Sequence, residues 1–301
     1  MIIKSGGIKE MRESNLGEYL EQAYTYRKAS KQRERLYISG TVHCPLKNVL
    51  DAHFSGEEVH SLVKHFYVEQ GNFFEQQIVS GWFKNILVWN DYHLPDIEEQ
   101  DGNILDIGGK IDAITFSDEI LQVVEIKNVG TLPKGKPKYY HLQQAVFYSA
   151  VTRLPYSLFY VSRNVADWTG EFSKVQFSYP YSQQEAEFIM TQTHYAHSCS
   201  KAGVLPVKPD YIKAKYICTD SYCRNVNVCW GGEEYIGDDL ENITPAQHEE
   251  FMFNAKEFAK YYTSEERSKH RRNGIINHWV SNGNKIAKSL LKYNWDEITQ
   301  L

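Results

Sequence analysis

The stretch ILDIGGKIDAITFSDEILQVVEIKNV, residues 104–129, decides how the rest of the chain is read. Its second half, Val123-Val124-Glu125-Ile126-Lys127, is apolar except for two charges set two positions apart. Side chains alternate between the faces of a β-strand, so Glu125 and Lys127 share one face while Val124 and Ile126 turn to the core. The first half carries Asp112 among Ile107, Ile111 and Ile114, and Phe116-Ser117-Asp118-Glu119 supplies a polar turn. Two strands joined by such a turn form an antiparallel hairpin, which brings Asp112 beside Glu125. Two carboxylates and an ammonium are therefore expected on one surface.

The 301 residues, 42% of them hydrophobic, suffice for a sizeable core with additions around it. No apolar run approaches the roughly 20 residues that cross a bilayer, and the start of the chain lacks a basic-then-apolar leader pattern. The expectation is a soluble, intracellular protein with no membrane partner, cytoplasmic or encoded by a virus or plasmid within a cell. A formal charge of −5 excludes coating nucleic acid through bulk positive charge. It does not exclude a metal-dependent enzyme acting on nucleic acid, because carboxylates count as negative until a cation arrives.

Working outward, residues 14–36 read as a helix with a Ser14 cap, and Cys44-Pro45 opens an amphipathic run through Leu46, Val49 and Leu50. Residues 57–83 are helix-like and place Gly71 one turn before Glu75. Residues 91–101 read as a polar, acidic loop, with Ile86-Leu87-Val88 before it as a short strand or helix end. After the hairpin, the basic loop Leu132-Pro133-Lys134-Gly135-Lys136-Pro137-Lys138 leads into a helix from Tyr139, on which Gln144 and Tyr148 are four apart. Strands at 156–161 and 174–179 and helices at 182–198 and 244–262 complete the pattern.

Cleaving a phosphodiester requires charge stabilisation on the phosphoryl oxygens and a nucleophile made from water, both of which a divalent cation supplies. Asp112 and Glu125 offer hard oxygen ligands suited to Mg2+ or Mn2+, and the Ile126 carbonyl can add a third. Lys127 can position the attacking water or offset developing charge. Taken alone, a Glu-x-Lys on a hairpin is an ordinary surface ion pair. Gly-Gly-Lys-Ile-Asp, twelve intervening residues and an apolar strand ending Glu-Ile-Lys together resemble the active-site core of the PD-(D/E)XK nuclease superfamily, with Ile111-Asp112 where Pro-Asp is usual. Gly71-x-x-x-Glu75 and Gln144-x-x-x-Tyr148 are similar to the upstream and downstream helical motifs of its RecB-like branch and occur in the same order.

The resemblance implies an α/β fold with a restriction-endonuclease-like core, a central mixed sheet flanked by helices. It further implies Glu75, Asp112, Glu125 and Ile126 around a Mg2+ or Mn2+ ion, and Asp112, Glu125, Lys127, Gln144 and Tyr148 as the catalytic set. The implied organisation is an N-terminal helical extension over residues 1–40, a nuclease core over 41–230 and a C-terminal helical extension over 231–301.

The cysteines add a second feature. Cys218-x4-Cys223-x5-Cys229 offers three thiolates where a tetrahedral zinc site or cubane cluster uses four, and Cys44 is the candidate fourth. One cysteine before the core and three after it resembles the iron-sulfur RecB-like exonucleases, the CRISPR-associated family and the AddAB-type nuclease domain among them. That resemblance implies a [4Fe-4S] cluster. The wider spacing between Cys218 and Cys223 leaves zinc, or simply buried thiols, open, and Cys199 is read as a structural thiol.

Lys134, Lys136 and Lys138 can meet phosphates, and Tyr139, Tyr140 and Tyr148 can stack on bases. The expected substrate is DNA, single-stranded or with free ends, cut as an exonuclease. A structure-specific endonuclease and a non-catalytic DNA-binding or adaptor subunit of a recombination or CRISPR-adaptation complex are the alternatives.

Overall fold

The computed structural model describes residues 26–30, 36–53, 56–60, 62–99, 102–165, 172–207 and 240–293. Its main helices and strands, in chain order, are α1 (Pro45–His53), α2 (Leu62–Gln77), β1 (Leu87–His93), β2 (Lys110–Ser117), β3 (Ile120–Val129), α3 (Tyr139–Thr152), β4 (Tyr156–Val165), β5 (Phe172–Tyr179), α4 (Gln183–Ala202), α5 (Pro245–Thr263) and α6 (Glu265–Ser281). The five strands form one sheet in the order β5-β4-β3-β2-β1. Only β3 and β4 run parallel; every other neighbouring pair is antiparallel. The protein is thus α/β, with a mixed central sheet and α3 as the crossover that parallel neighbours require.

The central strand β3 is apolar on both faces because both are covered. Leu121 and Val123 enter the larger core with Phe147 and Val151 of α3, whereas Val124 and Ile126 join Phe74, Ile78, Phe83 and Phe159 in a smaller core. The hairpin turns in two residues: Asp118 and Glu119 take φ of 52° and 65°, the left-handed pair that matches strand twist. Ser117 therefore pairs with Ile120, and the register runs down to Ala113 opposite Val124. A one-residue slip would turn every β3 side chain to the other face, so this turn fixes where Asp112 and Glu125 meet.

Helix ends follow their local chemistry. The Ser182 side chain caps α4, and Thr244 with Gln247 forms a capping box that opens α5, with Pro245 in the first turn. Phe258, Tyr262, Ile276 and Trp279 of α5 and α6 enter the same core as Leu121 and Val123. Among the described residues no helix is long and apolar enough to cross a membrane.

Three local expectations are corrected. Within the helix expected over 14–36, Tyr26–Ser30 is a strand paired antiparallel with Gly56–His60, so α2 also starts later than 57. Backbone pairing between distant segments leaves no mark on local periodicity and here overrides it. The expected acidic loop at 91–101 instead ends β1 and then pairs Ile97–Glu98 with Ile104–Leu105, because Tyr92 and Ile97 are buried. The first hairpin strand begins only at Lys110, after two short pieces at Ile104–Leu105 and Ile107–Gly108. Residues 14–25 and 31–35 lie outside the described residues.

Candidate functional site

Three adjacent strands and one helix bring the acidic residues together. Asp112 immediately follows the Ala113–Val124 pair and so sits across from Glu125. Its Oδ2 accepts the Ile126 N–H at 2.8 Å. On the other side Asp91 falls between the pairs Asn90–Ala113 and Tyr92–Ile111, which sets it across from Asp112. Asp91, Asp112 and Glu125 therefore form a row across β1, β2 and β3, and Glu75 reaches the same charges from α2.

Glu125 is 1% exposed. Lys127 forms an ion pair with its Oε1, while the buried Oε2 has no hydrogen-bond partner. Burial first, then the charge of Asp112, pushes the Glu125 carboxyl up to about 8. Glu75 is half-buried, and desolvation followed by Asp112 raises it to about 7. Burial also raises Asp112. Three carboxyls that resist ionising beside one another need positive charge, and Lys127 supplies part of it; Glu125 and Asp112 in turn hold Lys127 in its ammonium form.

Lys127 also donates to Gln144 Oε1 at 3.3 Å, and Gln144 Nε2 donates to the Tyr148 phenol at 2.9 Å. The helical spacing of Gln144 and Tyr148 thus carries a relay from β3 into α3. Tyr148 is 2% exposed and also hydrogen-bonds the Lys110 backbone, so its ring is unavailable to stack on a base. This corrects its assignment as a DNA contact. Its place is between α3 and the start of β2.

Gly109, just before β2, has little room for a side chain, chiefly because of Leu94 and Ile38. A Cβ there would lie 2.6 Å from Leu94 Cδ1, 3.1 Å from Ile38 Cγ2 and 3.4 Å from Tyr148 Cε1. Gly109→Ala is expected to destabilise the fold by about 1–2 kcal/mol, read as a lower unfolding midpoint in denaturant.

The basic loop is exposed at Lys134, Lys136 and Lys138. Its end is tied to the site: the Lys138 N–H donates to the Tyr160 hydroxyl at 3.2 Å, and Tyr160 pairs with Lys127 in the β3–β4 register. Tyr139, on the first turn of α3, is 62% exposed.

Cys44 is buried with Leu46, Val49 and Leu50 of α1 and with Leu240 and Leu205. Cys218, Cys223 and Cys229 lie outside the described residues. Cys199 is fully buried, and its thiol is pushed up to about 11 by burial, as suits a packing residue.

Two site residues escaped the sequence reading. Lys110 forms ion pairs with Asp91 and Glu75. The strand parity that joined Glu125 to Lys127 could have joined Lys110 to Asp112, but Asp91 fell within a stretch read as loop.

Among the described residues no three His, Cys, Asp or Glu side chains are gathered in metal-ligating geometry. The donor chemistry nevertheless fits a hard divalent cation, with carboxylates from α2, β2 and β3 repelling one another and one buried oxygen of Glu125 without a partner.

No family model matches the chain, and no curated protein matches it. A solved structure described as the crystal structure of SSO0001 aligns over 67% of this chain and 89% of its own, at 17% identity and a TM-score of 0.42. So distant a likeness bears on neither site nor function.

Proposed function

We propose that the chain is a divalent-cation-dependent deoxyribonuclease of the PD-(D/E)XK superfamily, RecB-like branch, acting on DNA strands with free ends. The observation that carries this reading is the meeting of Glu75, Asp112, Glu125 and Lys127 at one hairpin, with the carboxyls raised by burial and mutual repulsion. Glu75, Asp112 and Glu125 would hold Mg2+ or Mn2+, with the Ile126 carbonyl as a further oxygen. Bound there, the cation supplies Lewis acidity and lowers the pKa of water.

The protein's own groups do the rest. Lys127 stays an ammonium, so it donates hydrogen bonds to the attacking water or a phosphoryl oxygen and does not act as the base. Gln144 holds Lys127 in direction, and Tyr148 holds Gln144. Glu75, the most solvent-accessible of the three carboxylates, is the one able to exchange protons with water at neutral pH. Lys134, Lys136 and Lys138 stand exposed on the loop leading to this relay, where a phosphate backbone can meet them. The test is hydrolysis of linear and closed-circular single-stranded DNA with Mg2+ or Mn2+. Cation-dependent loss of the linear strand alone supports the exonuclease reading; cutting of the circle replaces it with an endonuclease, and binding without cutting with an adaptor.

The cysteines are proposed to hold a [4Fe-4S] cluster that staples the fold. Support comes from Cys44, which packs against Leu205 and Leu240, the residues flanking the segment that carries Cys218, Cys223 and Cys229. Residues Val204–Leu205 and Glu241–Asn242 pair in parallel, so both ends of that segment meet beside Cys44. Protein purified without oxygen is expected to be brown, with the visible absorbance lost in Cys223→Ser. A colourless protein with stoichiometric zinc overturns the cluster.

A further inference from the structure

A second lysine stands at the far end of the carboxylate row. Lys110 Nζ lies 2.5 Å from Asp91 Oδ1 and 3.8 Å from Glu75 Oε1, and it begins β2 two residues before Asp112, on the same strand face. Asp91 takes a left-handed φ of 51° within a strand, a conformation that Asp and Asn tolerate better than other non-glycine residues. The two ends of the row are thus treated alike: Lys127 neutralises Glu125, and Lys110 is drawn between Asp91 and Glu75. The two lysines differ in surroundings. Lys127 is fixed by Gln144, whereas the Lys110 side chain is 43% exposed and able to swing out.

We propose that Lys110 is a built-in counter-ion that competes with the divalent cation for Glu75, and that Asp91 is the tether that receives Lys110 when the cation arrives. The Asp91–Lys110 pair would then set cation affinity without contacting the reacting phosphate, which makes both positioning residues. The argument is one of charge. An ammonium about 4 Å from a ligand carboxylate offsets part of the attraction a divalent ion would feel there, and the offset survives partial solvation. Asp91 does the reverse, because each moment Lys110 spends on Asp91 leaves Glu75 unmasked. This rests on the reading of Glu75, Asp112 and Glu125 as cation ligands.

The test is Mn2+ binding to the full chain without DNA, measured by calorimetry and by the free-ion electron paramagnetic resonance signal. Lys110→Met keeps the aliphatic stem and is expected to tighten Mn2+ binding about tenfold. Asp91→Asn keeps a residue tolerant of left-handed backbone and is expected to weaken binding about threefold or more, since Lys110 then rests on Glu75 alone. In the Lys110→Met background the same Asp91→Asn change is expected to lose at least about half of that effect. A wild type that binds Mn2+ while Lys110→Met binds it equally or more weakly overturns this inference alone. Equal Asp91→Asn effects in both backgrounds overturn the tether. A wild type that binds no Mn2+ overturns both this inference and the cation site beneath it.

Discussion

Replacing Lys127 with alanine is expected to lower kcat for cation-dependent DNA cleavage by about 10²–10³-fold, the scale of losing one preorganised donor to a developing anion. Lys127 touches both the buried carboxylate Glu125 and, through Gln144, the α3 relay. Its ammonium is held charged by Glu125 and Asp112, so its contribution is a fixed positive charge at neutral pH. Truncation also removes a competitor for Glu125, so Mn2+ affinity should hold steady or rise while kcat falls. That split distinguishes a chemical role from a structural one, because a merely loosened site would lose both. Lys127→Ala with wild-type kcat would remove this residue from the chemistry.

The second large effect concerns Glu125. Glu125→Gln should bring cleavage to background and, at the same time, flatten the pH dependence of stability in the cation-free protein. The Glu125 carboxyl sits at about 8 in the fold against 4.5 when unfolded, so the folded state binds its proton more tightly. The contribution of this carboxyl to stability is therefore fully present at low pH and is lost as pH rises from about 4.5 through about 8. Glu75, at about 7, adds to the decline over a narrower range. The unfolding midpoint of cation-free wild type should thus fall between pH 5.5 and 8.5, and that of Glu125→Gln should fall less. Mn2+ should restore wild type more at pH 8.5 than at pH 5.5, because it binds the ionised carboxylates. Parallel pH curves for the two proteins would mean that Glu125 ionises without strain.

The hairpin was legible because its determinants are local: alternation along Val123–Lys127 set the faces, and Asp118 with Glu119 set the turn. The Gln144–Tyr148 relay was legible for the same reason, at helical spacing. What escaped depends on segments that meet only in three dimensions. Asp91 comes to Asp112 through pairing of β1 with β2, and Tyr148 is buried where α3 meets the start of β2. The strand at Tyr26–Ser30 forms only against Gly56–His60, about 30 residues on, where local periodicity carries no information.

The chemistry turns on whether the carboxylate row and Lys127 act together on a phosphodiester. The most direct measurement follows release of label from end-labelled single-stranded DNA by wild type and Lys127→Ala in parallel, with EDTA and then with Mn2+ at pH 8. The expected result is turnover by wild type only with Mn2+ and almost none by the variant. Equal cleavage by both proteins, or cleavage that persists in EDTA, would contradict a cation-dependent nuclease built on this hairpin.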